Sequence, residues 1–336
     1  MKISLDIRNI TYIILFILFL ILIFLVPFFP EKIVQDSEKV LSTIKNIEIY
    51  SPSDSFSMSA YVLNLVSFGK VHFFIFLQGV FYIFLLTRYF VYVRHLFPFL
   101  LLLIPNLIFN LLLPGKEVLV ISMSIIIVSV IRFSRLKFLP ILFIFFLYIP
   151  YAYYIRPYYF LIFLFFLFFI YFINIKKKIN KLSLLIFLVF LIAMLPSELY
   201  TFLFSHRDIS NSYALSLGSI NRTAFNNLYL PQNFLELIVN YLYVISVIMF
   251  PVIYFYTIKD FILLLINLYI SVYFLKIYKF KPSYKTKILY SLFYAHLFVL
   301  FIFEPDLGSY LRHMSSCSLY LIAYMYSLSQ DKDAYI

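Results

Sequence analysis

The run ITYIILFILFLILIFLVPFF, residues 10–29, decides the fold. It is twenty residues long and carries no charge, which is the length that crosses a bilayer as a helix. Lys2 and Arg8 precede it and Pro30-Glu31 follow. No small-residue cleavage site follows the apolar run, so it reads as an uncleaved first span and not as a removed signal peptide. Comparable apolar runs recur at 71–87, 95–113, 118–131, 138–155, 157–174, 182–204, 233–256, 261–275, 288–303 and 314–329. The expectation is an all-α fold: a polytopic transmembrane helical bundle of about 10–12 spans, counted at roughly 20 residues each.

Composition agrees. The chain is 64% hydrophobic and 12% charged, with mean hydropathy +0.98. Soluble domains carry about 25% charged residues. No stretch outside the apolar runs is long enough for a core of its own, so residues 1–336 read as a single integral membrane domain. The lone cysteine, Cys317, leaves no internal disulfide and no Cys-based metal site. Many Phe, Tyr, Ile, Lys and Asn with no Trp suggest an AT-rich bacterial coding sequence. The aromatics then read as lipid-facing bulk.

The net charge of +12 points to no nucleic acid. Most of the basic residues sit between apolar runs, where they set orientation. Arg88 and Arg94, then Arg132, Arg135 and Lys137, then Lys176, Lys177, Lys178 and Lys181, then Lys276, Lys279, Lys281, Lys285 and Lys287 form the clearest clusters. Placing them in the cytoplasm, with both termini, puts a first outer loop at 30–70, a long outer loop at 205–232 and an outer polar segment at 304–313. Between 233 and 287 two apolar runs lie where alternation allows one crossing. One of them, the short run 261–275 for preference, then reads as re-entrant or interfacial. No Gly/Pro-broken inverted repeat is visible.

Ionisable side chains at membrane depth are costly and are functional candidates by default. Arg156 lies in Tyr154-Ile155-Arg156-Pro157-Tyr158, with hardly a loop between two spans. Pro157 suits the first turn of the next helix, and a helix start beside an arginine attracts anions. The alternative is an arginine that snorkels to the interface. In Pro114-Gly115-Lys116-Glu117 the charged pair precedes a short apolar run, which draws it to the interface. It reads either as a site or as a local ion pair. The densest chemistry is Glu304-Pro305-Asp306-Leu307-Gly308-Ser309-Tyr310-Leu311-Arg312-His313. If Asp306 caps the following helix, Ser309, Arg312 and His313 share one face. Arg312 suits a phosphate, and His313 suits a general base. The long outer loop carries Arg207, Asp208 and Arg222 among asparagines and tyrosines, a composition that suits a sugar or a solvated connector equally. Asp36-Ser37-Glu38 reads as part of a solvated, charge-mixed face. His72 and His296 read as packed histidines. No metal-ligand spacing, P-loop or nucleophile elbow is present.

Gly115-Lys116-Glu117, Arg156-Pro157 and Gly308-Ser309-Tyr310-Leu311-Arg312-His313, set in this hydropathy pattern, resemble the Wzy-type O-antigen or capsular repeat-unit polymerases. The resemblance covers the whole chain as a hydropathy pattern, though a single long loop in the second half departs from some members. It implies a C-type, membrane-embedded glycosyltransferase at the periplasmic face of the bacterial inner membrane. Its substrate would be an oligosaccharide on undecaprenyl pyrophosphate. It would need no cofactor and no metal, and its partners would be membrane lipid, a chain-length regulator and a flippase. On that reading Arg156, Arg312 and Lys116 bind pyrophosphate. His313 is the base, with Asp306 second, and Arg207, Asp208, Arg222, Glu117 and Tyr310 bind substrate. Two rivals stay open: a lipid-linked oligosaccharide flippase, and a transferase adding one sugar from a polyprenyl phosphate through acids such as Asp36 and Glu38.

Overall fold

A computed structural model describes residues 5–46, 54–89, 96–216, 223–255, 257–278 and 282–333. Arg222, Arg94, Lys279 and Lys281 lie outside them. The described residues are helical throughout apart from short joints and the extended segment 223–233, and no β-strand occurs among them. In chain order the helices are α1 Leu5–Leu25, α2 Glu31–Lys45, α3 Ser55–Val66, α4 Val71–Tyr89, α5 Leu96–Asn110, α6 Lys116–Phe133, α7 Phe138–Tyr154 and α8 Tyr159–Asn174. They continue as α9 Lys178–Ala193, α10 Ser197–Ser216, α11 Phe234–Met249, α12 Pro251–Phe255, α13 Ile258–Lys276, α14 Tyr284–Phe303, α15 Leu307–Ser316 and α16 Ser318–Asp333.

The centre of the bundle is α14, which packs on α8 and α16 and also touches α10 and α11. Leu292, Phe293 and Ala295 of α14 and Leu319, Tyr320 and Leu321 of α16 are fully buried. Helices in lipid gain little from burying apolar area against one another, so close van der Waals contact must hold them. Small side chains permit it here: Ser291 and Ala295 on α14, Ser318 and Ala323 on α16, all buried. Gly79 of α4 does the same for α1, since a Cβ there would meet the Phe19 ring at 2.2 Å. The outermost helix is α9, which has no buried residue among its sixteen.

Among the described residues, three helices are long and apolar enough to cross a membrane: Arg8–Phe28, Val71–Tyr89 and Tyr284–Phe303. A fourth span arises if Lys178–Ala193 and Ser197–Ser212 are one broken element, bent by 92°. Other apolar helices, such as Leu139–Tyr154, Tyr159–Asn174 and Phe234–Met249, are shorter. The architecture is therefore an all-helical bundle with membrane-spanning character, but fewer helices reach full length than the eleven apolar runs suggest. Helix breakers account for two of the runs, 182–204 and 233–256. Pro196 stands at the 92° bend, where the missing N–H ends α9. Pro251 follows the break between α11 and α12, inside the region where alternation failed. Beyond it Asn267 of α13 donates to the Ile248 carbonyl at 2.6 Å, tying α13 back onto α11.

Two of the expected outer loops are helical. Within 30–70 the described residues form α2 and α3, and within 205–232 α10 runs on through Ser216. The basic clusters do gather at one end. Lys285 reaches the Arg132 carbonyl at 2.7 Å, Lys287 reaches Asn174 at 2.6 Å, and Lys181 lies over the Tyr278 ring. At the other ends of the same helices α6, α8 and α14 stand Lys116, Arg156 and Glu304. A 20-residue helix such as α14 separates the two ends by about 30 Å at 1.5 Å per residue.

Candidate functional site

The site is built at the ends of α6, α7, α8 and α14 and along α15. Asp306 starts α15 by accepting from the Ser309 N–H at 2.9 Å and the Ser309 hydroxyl at 3.2 Å. Gly308 leaves room for that cap, since a Cβ there would lie 3.0 Å from Asp306 Oδ1. The capped helix then carries Arg312 and His313 on adjacent positions. Asn110, at the end of α5, donates to the Arg312 carbonyl at 3.1 Å and to Ser315 at 2.9 Å, which fixes α15 against α5. Glu117 lies in the first turn of α6, where a carboxylate complements the helix dipole. A Cβ on Gly115 would approach its Oε2 to 3.2 Å, so the glycine lets the carboxylate turn back over the helix end. Arg156 occupies the joint between α7 and α8. Its N–H closes α7 on the Tyr151 carbonyl, and its own carbonyl accepts from Tyr159. The side chain is therefore set by two helix ends, as the absence of a loop predicted.

These side chains converge on one carboxylate. Glu117 Oε1 lies 2.6 Å from Arg156 Nη2, 2.9 Å from His313 Nε2 and 3.6 Å from Arg312 Nε. On its other side His313 Nδ1 meets Glu304 Oε1 at 2.6 Å. Arg312 Nη1 donates to Asp36 of α2 at 2.7 Å. Lys116 turns toward α3, where its Nζ donates to Ser55 Oγ at 2.6 Å and sits 3.5 Å from the Phe56 ring centroid. Two arginines and His313 thus face three carboxylates, with His313 between two of them and Lys116 beside them but turned toward α3. The Glu117 and Glu304 side chains are 7% and 2% exposed, whereas Arg312 and Asp36 keep 28% and 36%. Arg312 and Asp36 form the open rim, and the rest is the floor.

Donor rules constrain the histidine. An arginine only donates and an ionised carboxylate only accepts. Arg156 Nη2 stands 2.9 Å from His313 Nε2. Where Arg156 donates to Nε2, the neutral ring carries its proton on Nδ1, facing Glu304; the other tautomer donates from Nε2 to Glu117 Oε1 at 2.9 Å. A proton arriving at Nε2 finds Glu117 Oε1 ready to accept the new hydrogen bond. Taking up that proton requires the Arg156 N–H to turn away from Nε2, after which the ring stands between the Glu117 and Glu304 carboxylates. Among the described residues no group of three or more His, Cys, Asp or Glu side chains is placed to hold a metal ion.

The structure brings together Lys116, Glu117, Arg156, Arg312 and His313, which sequence had singled out from three separate places. Asp306 caps α15, as the sequence suggested, and three other expectations are corrected. Tyr310 is fully buried, stacked on Phe301 and bonded to Asn267, out of reach of a substrate. Arg207 is fully buried and holds backbone carbonyls, not sugar. Asp36, read as solvated, is the rim partner of Arg312. Asp208 remains at the surface and accepts from Asn227 at 2.9 and 3.0 Å. His296 is a packed histidine, as expected, bonded to Tyr148 at 2.8 Å. Glu304 had no assigned role, although a carboxylate closing an apolar run is the kind of signal that marks a site. A depression of about 460 Å³ lined by Gly69, Lys70, Val71, His72 and Phe73 shares no residue with this cluster.

No protein-family model, curated protein or solved structure matches the chain.

Proposed function

We propose that this protein is a membrane glycosyltransferase that polymerises undecaprenyl-pyrophosphate-linked oligosaccharide repeat units into O-antigen or capsular polysaccharide. It acts at the outer face of the bacterial inner membrane, beside a flippase and a chain-length regulator. The observation that carries this reading is the convergence of Arg156, Arg312 and His313 with three carboxylates, Lys116 standing beside them, at the end of the bundle opposite the basic patches. Cations at the boundary of an apolar bundle suit a lipid-linked anion, and a histidine among them suits activation of a hydroxyl.

In the proposed reaction the acceptor sugar hydroxyl attacks the anomeric carbon of the growing chain. Its proton passes to His313 Nε2, and the new hydrogen bond goes to Glu117. The bond from the anomeric carbon to the pyrophosphate oxygen breaks, and the lipid pyrophosphate leaves with the electron pair. Arg312 at the rim meets that developing charge by exchanging Asp36 for a phosphate oxygen. Arg156 supports it from the floor. Fixed donors aimed at developing charge contribute about 10²–10³ in rate each.

Deleting the gene in the source strain and running a gel of surface polysaccharide tests the reading. Loss of the ladder, with a single repeat still attached to its lipid or accumulating on its carrier, is the expected result. Loss of even the single repeat points to a flippase or a sugar-adding transferase, and an unchanged ladder overturns the proposal. One observation favours the sugar-adding alternative: Asp36, one of the acids it requires, does reach the site. That alternative expects Asp36→Asn to be inactive while Arg312→Ala keeps activity. The polymerase reading expects the reverse order of severity.

A further inference from the structure

We infer that Arg207 is a positioning residue: it fixes the end of α14 so that the Glu304 carboxylate meets His313 Nδ1. The inference deepens the reading above and rests on it for the role of His313. The last carbonyls of α14 have no partner within the helix. The Glu304 N–H serves Leu300, and Pro305, next in line, has no N–H to give. Arg207 of α10 supplies what is missing. Its Nη2 donates to the Phe301 and Ile302 carbonyls at 2.9 and 2.6 Å, and its Nε donates to the Glu304 carbonyl at 3.0 Å. Nη1 is anchored by Asn227 Oδ1 at 3.0 Å, and the guanidinium lies between the Phe204 and Phe225 rings. The side chain is fully buried. A cation there also complements the negative end of the helix.

The consequence for the site lies in how Glu304 is held. Its Oε1 bonds His313, and its Oε2 is buried with no hydrogen-bond partner. No second side-chain bond aims the carboxylate, so its backbone does. That backbone is held by Leu300 at the N–H and by Arg207 at the carbonyl. The next residues are held by segment 223–225: Phe225 N–H donates to the Pro305 carbonyl at 2.7 Å, and Leu307 N–H to the Thr223 carbonyl at 3.4 Å. The stretch between α10 and α11 therefore braces the site from behind. Arg207 needs a guanidinium for this, because three carbonyls lie within one fork and an ammonium cannot span them.

The test uses full-length protein carrying ¹⁵N-histidine, with His313→Gln to assign the resonance. The groups facing that ring are Glu304 from the end of α14, Glu117 from α6, Arg156 from the α7–α8 joint and Arg312 from its own helix. Glu304→Gln sets the reference for a lost Nδ1–carboxylate hydrogen bond. Arg207→Gln is expected to reproduce that change and to lower turnover of chain extension at least about tenfold, the scale of a disturbed general base, with KM unchanged. Arg207→Lys is expected to fall between the two and decides the matter if the glutamine variant does not fold. A wild-type Nδ1 signature in either folded Arg207 variant overturns the inference. The expected imidazole change in a protein without polymerase activity leaves the positioning role standing and removes only the polymerase reading.

Discussion

The two ends of the bundle use the same kind of residue in opposite ways. At one end Lys176, Lys177 and Lys178 are exposed, and Lys285 and Lys287 reach only a carbonyl and an amide. At the other, Arg156 and Arg312 are held by Glu117 and Asp36, and the floor is almost closed to solvent. Charge that orients a chain in a membrane needs number and exposure. Charge proposed to perform chemistry needs fixed geometry, and carboxylates at low exposure provide it. Basic residues at a helix end are therefore not informative by count; their partners are.

The largest expected effect separates the ends by function. Arg156→Gln is expected to reduce chain extension by about 10²-fold or more, the loss typical of one fixed donor to a developing anion. Lys177→Gln with Lys178→Gln should leave the polymer ladder within twofold of wild type. Equal losses at the two ends would break the comparison. Next is the floor itself. Glu117→Gln leaves Arg156 buried beside a neutral partner, so unfolding stability in detergent should fall by roughly 3–5 kcal/mol. Removing an exposed lysine at the other end should cost under about 0.5 kcal/mol. A thermal-denaturation series on both variants reads this directly.

Smaller effects separate caps from chemistry. Asp306→Asn can still cap α15 and should keep nearly full activity, whereas Asp306→Ala should cost about 1 kcal/mol of stability. Inactivity of a well-folded Asn variant would restore Asp306 as a base. The smallest effect concerns Asp54, which caps α3 near Lys116. Burial opposes its charge, but the N–H groups of Ser57 and Phe56, the Ser57 hydroxyl and the charge of Lys116 together hold its carboxyl below the usual range. A lowered folded-state value adds stability above the ordinary Asp titration near pH 4. That contribution fades as the pH falls through the folded value. The stability gap between wild type and Asp54→Ala should therefore be about 1 kcal/mol at pH 7 and shrink toward pH 3.

How far the sequence could be read follows the same contrast. Apolar runs and basic clusters are local signals, so the helical class and the gathering of Lys181, Arg132 and Lys285 at one end were legible. The cap at Asp306 and the joint at Arg156-Pro157 were legible for the same reason, since their partners are within a few residues. The breaks within 182–204 and 233–256 were not, because Pro196 and Pro251 bend or break runs that hydropathy counts as continuous. The pairings of Asp36 with Arg312 and of Arg207 with α14 were not legible either. They join residues 276 and about a hundred positions apart. Nothing in a charge-mixed helix or a polar loop announces such a partner.

The most direct test of the central claim is chain extension by purified protein in liposomes supplied with the undecaprenyl-pyrophosphate-linked repeat of the source strain. Wild type is expected to yield a polymer ladder, and Arg312→Gln, inserted and folded to the same extent, no product beyond the single repeat. A wild-type ladder from Arg312→Gln would contradict the assignment of this end of the bundle as the pyrophosphate site.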